Sequence, residues 1–249
     1  MLTAYCLLLT GLSAASPAEP PVAEVQISLC APPEEIIRRL SLSPDPDRRR
    51  EIWYFESPAL EEYAKGIIFR LRLGAGERRL TVKAKVADCA HVDASLLRAS
   101  DGKCEADVHG EEMQTVVSLE ASLDEKTVQG LLDGSVGLAS ALHPAQLRYL
   151  QSALAWPLAP EMRPLGPIRV DSHRPAKGKW VAELWQAPGG ERWAEVSRKT
   201  ETVDVARVRK AMLGELSKAG LEPCADASST TESKLRALLA APQPTPGIR

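Results

Sequence analysis

Four cations alternate with apolar residues in two neighbouring runs, Arg70 and Arg72 in GIIFRLRL and Lys83 and Lys85 in LTVKAK. Successive side chains of a strand point to opposite faces. Arg70 and Arg72 therefore share a face opposed to Phe69, Leu71 and Leu73, and Lys83 and Lys85 share one opposed to Leu80, Val82 and Ala84. Gly74, Ala75 and Gly76 between the runs supply turn chemistry for a hairpin that brings the four cations onto one wall. Such a wall suits a polyanion, because guanidinium forks take phosphate oxygens in pairs and ammonium groups take them as point charges. A row of charge on a strand also serves as an ordinary solvated outer face, and the direction in which the wall faces decides between the two.

Acids alternate in the same way. Glu24 and Gln26 oppose Val25 and Ile27 in AEVQISL, and Glu105 and Asp107 oppose Ala106 and Val108 in KCEADVHG. Glu183 lies in GKWVAELWQ and Glu195 in ERWAEVSRKT, two runs joined by a Pro188-Gly189-Gly190 turn. Carboxylate oxygens are the ligands of hard divalent cations such as Mg²⁺ or Mn²⁺. Other chemistries lack their motifs: there is no GxxxxGK[ST] loop, no GxSxG elbow and no CxxC pair, and His91, His109, His143 and His173 show neither HxxxH nor HExxH spacing.

The stretch 54–85 resembles the CYTH superfamily, or triphosphate tunnel metalloenzymes. It has the tyrosine–aromatic–acid start in Tyr54, Phe55 and Glu56, a glycine, Gly66, before the R-x-R strand, and a following strand that ends in lysine. The resemblance implies an α+β fold built on a closed or nearly closed antiparallel β-barrel, a tunnel with a charged lumen and flanking helices. It also implies that Arg70, Arg72, Lys83, Lys85, Arg169, Arg174 and Lys199 are candidates to bind a triphosphate, with Glu24, Glu105, Asp107, Glu183 and Glu195 competing for Mg²⁺ or Mn²⁺. The family's N-terminal E-x-E-x-K strand here reads Glu24-Val25-Gln26-Ile27-Ser28, and the late strand reads Glu195-Val196-Ser197 where a second acid is expected. An amide brings no anionic charge to a cation, which weakens a divalent site. The implied ligand is an inorganic triphosphate, a polyphosphate or a related phosphate-rich anion, with metal-dependent phosphohydrolase activity. The alternative is a noncatalytic binding or scaffold module that keeps the barrel, and a third reading is a disulfide-stabilised β protein with no anion site.

The elements that must position these residues follow from local pattern. AEVQISL is a first strand, and APPEEIIRRLSL a helix opened by Pro32 and Pro33 with Glu34 and Glu35 in its first turn. LEEYAK makes a turn or short helix. TVVSLEASL is a strand and DEKTVQGLL a helix with Asp124 at its N-cap. ASALHPAQLRYLQSAL is a helix begun by Pro144, and VDVARVRKAMLGELSKAGL an amphipathic helix whose apolar stripe is core packing. The strand-rich parts before about residue 123 and after about residue 166 each supply half of a barrel, and SPDPDRRR is a polar loop.

The formal net charge of -2 excludes a generally basic nucleic-acid coat, so any cationic site is local and no sequence-specific nucleic-acid partner is expected. The uncharged, apolar start MLTAYCLLLTGLSAAS reads as a signal peptide over residues 1–18, implying export to a periplasmic or extracellular compartment and no membrane span in the mature chain. The barrel domain is expected over 22–222 and a flexible tail over 225–249, with a short helical piece around SKLRALLAA. After removal of the leader, Cys30, Cys89, Cys104 and Cys224 permit two disulfides in three pairings. Cys89 with Cys104 is favoured because both flank one loop, and Cys30 with Cys224 follows by elimination; four free thiols are the alternative if export fails. The oligomeric state is not specified.

Overall fold

Alternating burial along the strands decides which faces build the core and which build the site. The computed structural model describes residues 21–153, 157–175, 179–224 and 230–241. Along them run β1 (Val22–Leu29), α1 (Pro33–Leu40), β2 (Leu42–Pro44), β3 (Arg50–Glu56), α2 (Glu61–Ala64), β4 (Ile67–Gly74), β5 (Glu77–Lys85) and α3 (Ala94–Ala99). There follow β6 (Lys103–His109), β7 (Glu112–Ser122), α4 (Glu125–Asp133), α5 (Leu138–Ala141) and α6 (Pro144–Ala153). The last elements are β8 (Arg163–Pro175), β9 (Val181–Gln186), β10 (Arg192–Glu201), α7 (Val205–Lys218) and α8 (Thr230–Ala240).

Around the sheet the order is β8-β3-β4-β5-β7-β6-β1-β10-β9, and β9 pairs back onto β8 to close it, with β2 added to the end of β8. The expected closed barrel is therefore present, with one departure from pure antiparallel pairing. A closed ring with an odd number of strands cannot alternate direction all the way round, and its unavoidable parallel neighbours are β1 and β6. That pairing sets Glu24 beside Asp107.

The apolar rows turn outward and are covered by helices. Val25 and Ile27 of β1 pack with Ile36 of α1 and with Val208, Met212 and Leu216 of α7. Phe69 and Leu71 of β4 and Leu80 and Val82 of β5 pack with Val128 and Leu131 of α4 and Leu150 of α6. Val117 and Leu119 of β7 meet Leu96 of α3 and Tyr149 of α6. Burying each such side chain is worth about 1.5–3 kcal/mol, so these faces outcompete the charged rows for the helix-covered side and the charged rows face the lumen. One sector reverses the rule: Ile52 and Tyr54 of β3, Ile168 and Val170 of β8 and Trp185 of β9 cluster with Leu235 and Leu238 of α8.

Local signals act largely as expected. Asp124 caps α4 by accepting the Thr127 N–H at 2.8 Å. The helix expected to run through Leu42 stops at Leu40, where Ser41 enters the left-handed region at φ 49°, and Leu42–Pro44 instead pairs with β8. SPDPDRRR is correspondingly shared between the end of β2, a single 3-10 turn at Pro46–Arg48 and the start of β3. The segment assigned to the tail carries α8, whose Leu235 and Leu238 are buried. Both disulfides form in the favoured pairing, Cys30 with Cys224 and Cys89 with Cys104, which fits an oxidising compartment. The leader and Cys6 lie outside the described residues. Among the described residues no helix is long and apolar enough to cross a membrane.

Candidate functional site: a charged tunnel

The barrel encloses a cavity of about 700 Å³, and the side chains that line it decide its chemistry. Among the described residues twelve Lys and Arg side chains line it against seven carboxylates, an excess of five positive charges in a chain whose formal net charge is -2. Arg70, Arg72, Lys83 and Lys85 all line it, so the hairpin wall faces the lumen. Gly66, at φ +81°, makes room for the last of these: a Cβ there would press within 3.2 Å of the Lys85 stem.

Lys199 and Arg174 line the cavity as well, Arg174 at an exposed edge where Asp45 accepts from its Nε at 2.9 Å. Arg169 does not. It lies between Ile168 and Val170, whose side chains pack in the α8 sector, so alternation directs Arg169 to the exposed outer face, where its strand neighbours are Glu51 and Gln186.

The candidate acids divide into two groups. Glu24, Glu105 and Asp107 each bring a carboxylate oxygen within 4.8 Å of the others. Glu183 and Glu195 face each other across β9 and β10, in register with Ser28 rather than Glu24. Four residues of strand separate those levels, roughly 13 Å. Gln26 lines the cavity beside His109, a residue whose isolated position in the sequence suggests a loop or surface role but which the parallel β1–β6 register brings into the lumen.

Most cations in the lumen are engaged by acids. Lys83 bonds Asp107, and Arg50 bonds Glu183. Lys103 and Lys199 reach the two oxygens of Glu105 at 2.5 and 2.7 Å. Burial works against the Glu105 carboxylate, yet the hydrogen bonds from both lysines outweigh it and hold its pKa below the ordinary value. Glu120 takes Arg72 at 2.6 Å and Arg79 at 2.8 Å and is likewise held low against its burial by those guanidinium groups. Burial and the neighbouring Arg70 lower the pKa of Arg72. Arg70 and Lys85 make no ion pair among the described residues. Tyr54, opposite Arg70 in the β3–β4 register, has its phenol pushed up to about 12 by burial and so keeps its proton at neutral pH.

Several lining residues escape sequence reasoning, among them Arg50, Lys103, Glu120 and Lys234. Glu120 shares a strand face with Val116 and Ser118 in TVVSLEASL, an alternation that could have identified it. Lys234 has no such local signal. It is 2% exposed and projects from α8 into the cavity with its Nζ 3.5 Å from the centroid of the Trp185 ring, and burial lowers its pKa.

The donor set fits a hard divalent cation. Three carboxylates converge, and Asp107 Oδ1 is buried without a hydrogen-bond partner.

No protein-family model matches the sequence, and no curated protein matches it significantly. Solved structures do resemble the fold. The Hippeastrum protein HpAC1, reported to have a dominant triphosphatase activity, superposes with a TM-score of 0.59 at 16% identity, covering 87% of this chain and 96% of that one. A Bacillus halodurans protein assigned as an adenylate cyclase gives 0.56 at 10% identity, covering 85% and 96%. The chain has the CYTH-type tunnel fold, in a divergent sequence.

Proposed function

We propose that this CYTH-type barrel binds a linear phosphate polyanion, inorganic triphosphate or polyphosphate, inside its tunnel. The observation that carries the reading is the excess of lumen cations, with Arg70 and Lys85 uncommitted to any carboxylate among the described residues and Lys234 buried in the same cavity. A triphosphate spreads several negative charges along a flexible chain, and guanidinium and ammonium groups on several strands match it better than a single anion-binding loop. Glu24, Glu105 and Asp107 would hold Mg²⁺ or Mn²⁺, which when bound supplies charge neutralisation at phosphoryl oxygens. Arg70 and Lys85 orient the chain, and Tyr54 offers a neutral hydroxyl beside Arg70. Residues 1–18 serve export, in keeping with the two disulfides.

Gln26 and Ser28 favour a second reading, a noncatalytic module that retains binding. The two separate in one experiment: incubation of the purified chain with tripolyphosphate and Mg²⁺ or Mn²⁺, following phosphate release and salt-sensitive binding together. Turnover assigns a phosphohydrolase, and binding without turnover assigns the module. Absence of both rejects the polyanion reading.

A further inference from the structure

The carboxylates suited to a divalent cation already carry ammonium groups. Lys83 of β5 bonds Asp107, Lys103 of β6 bonds Glu105 at 2.5 Å, and Lys199 of β10 bonds Glu105 at 2.7 Å while lying 3.9 Å from Glu24. Three lysines thus balance three carboxylates. Glu105 and Asp107 are buried, 4% and 6% exposed, so an uncompensated charge of either sign in this cluster is costly. The remaining opening is Asp107 Oδ1, buried and without a hydrogen-bond partner.

A divalent cation entering the cluster as it stands would place two further positive charges beside three ammonium groups at close range and in low dielectric, where like charges repel strongly. It can be accommodated only if lysines withdraw. Their flexible four-carbon stems permit that, but each ammonium then needs another anionic partner. All three line the same cavity as Arg70 and Lys85, where a polyanion's oxygens would lie.

We propose that Lys83 and Lys199 are exchange groups, holding the carboxylates of Asp107 and of Glu105 with Glu24 until a polyanion draws them away and opens those oxygens to a divalent cation. The inference rests on the polyanion reading above and narrows it: the tunnel takes the metal–polyphosphate complex, and metal and polyanion bind with positive coupling, each weakly without the other. Reciprocity requires that the polyanion strengthen metal binding by the same factor as metal strengthens polyanion binding.

The test is calorimetric titration of Mn²⁺ into the full chain and into Lys83→Met, Lys199→Met and Lys85→Met, without and with tripolyphosphate, corrected for the manganese–tripolyphosphate complex in solution. Removing a competing ammonium should tighten Mn²⁺ about tenfold in the first two variants and reduce the coupling to tripolyphosphate, within the usual size of coupling between sites. Lys85→Met should bind Mn²⁺ within about twofold of the parent while weakening tripolyphosphate. Lys199 is half exposed, so its variant tests the proposal even if Lys83→Met fails to fold. Equal Mn²⁺ affinity in all four proteins overturns the exchange, and tripolyphosphate binding in that case leaves the polyanion reading intact. Tightened Mn²⁺ with no tripolyphosphate binding to any protein upholds the lysine competition and rejects both the coupling and the polyanion reading.

Discussion

Lys234 Nζ lies 3.5 Å above the centroid of the Trp185 ring, so the helix that fills one sector of the barrel delivers a buried ammonium as well as an apolar plug. Burial disfavours that charge, and an isosteric apolar replacement relieves the cost. Lys234→Met should therefore unfold at the same temperature as the parent or higher, yet bind tripolyphosphate about tenfold more weakly, a loss of about 1.4 kcal/mol. Thermal unfolding and calorimetry on one preparation check both halves. Unchanged affinity would reduce α8 to a plug.

Arg70 and Arg72 should behave differently although they share a strand face. Arg72 holds Glu120 at 2.6 Å, whereas Arg70 has no acid partner among the described residues. Arg70→Ala should cost polyanion affinity by about 1.5–3 kcal/mol with little loss of stability, the range for hydrogen bonds to charged groups. Arg72→Ala should cost both, because it leaves the half-buried Glu120 with Arg79 alone. Equal thermal midpoints for the two variants would contradict the assignment.

Acid should loosen the barrel through its lumen. The folded-state pKa values of Glu105 and Glu120 lie below the ordinary 4.5, so both carboxylates contribute stability that is fully present above that value. It is lost as pH falls from there through the depressed folded-state values. Thermal midpoints taken downward from neutral pH should hold until about pH 4.5 and then fall. Glu120→Gln should flatten that fall while lowering the midpoint at neutral pH, since Arg72 and Arg79 lose their nearer charged partner and keep Glu77, 3.5 Å from each.

How much of this was legible in the sequence turns on the difference between sharing a face and knowing which way it points. Arg70 and Arg169 both alternate with apolar neighbours, and period-two reasoning treats them alike. They part because helices cover the outer apolar row of β4, whereas α8 covers the inner row of β8. A helix some 65 residues further along the chain made that choice, and strand periodicity carries no trace of it. The carboxylates show the same limit. Glu105 and Asp107 are local and readable as a pair, but Glu24 joins them through the parallel β1–β6 register, while Glu183 and Glu195 sit at another level for equally long-range reasons. The hairpin, the N-cap of α4 and both cysteine pairings depend on short-range chemistry or few alternatives, and those were readable.

The two disulfides should differ in weight. Cys30 and Cys224 are separated by 194 residues and Cys89 and Cys104 by 15. In the chain-entropy account the longer loop stabilises by about 5 kcal/mol and the shorter by about 3 kcal/mol. Replacing Cys30 and Cys224 with serine should lower the unfolding midpoint more than replacing Cys89 and Cys104, in paired denaturation curves under non-reducing conditions. The reverse order would point to residual order in the unfolded chain near the longer link.

The first strand pairs with β6 on one side and with β10, the last strand, on the other, so the opening residues of the domain wait for nearly the whole polypeptide before their second edge is covered. Topologies dominated by such distant pairings fold slowly. The tunnel therefore closes late in synthesis: β1 and β3 to β7 can pair as an open sheet, but the ring that encloses the charge is complete only after the last strand has been made.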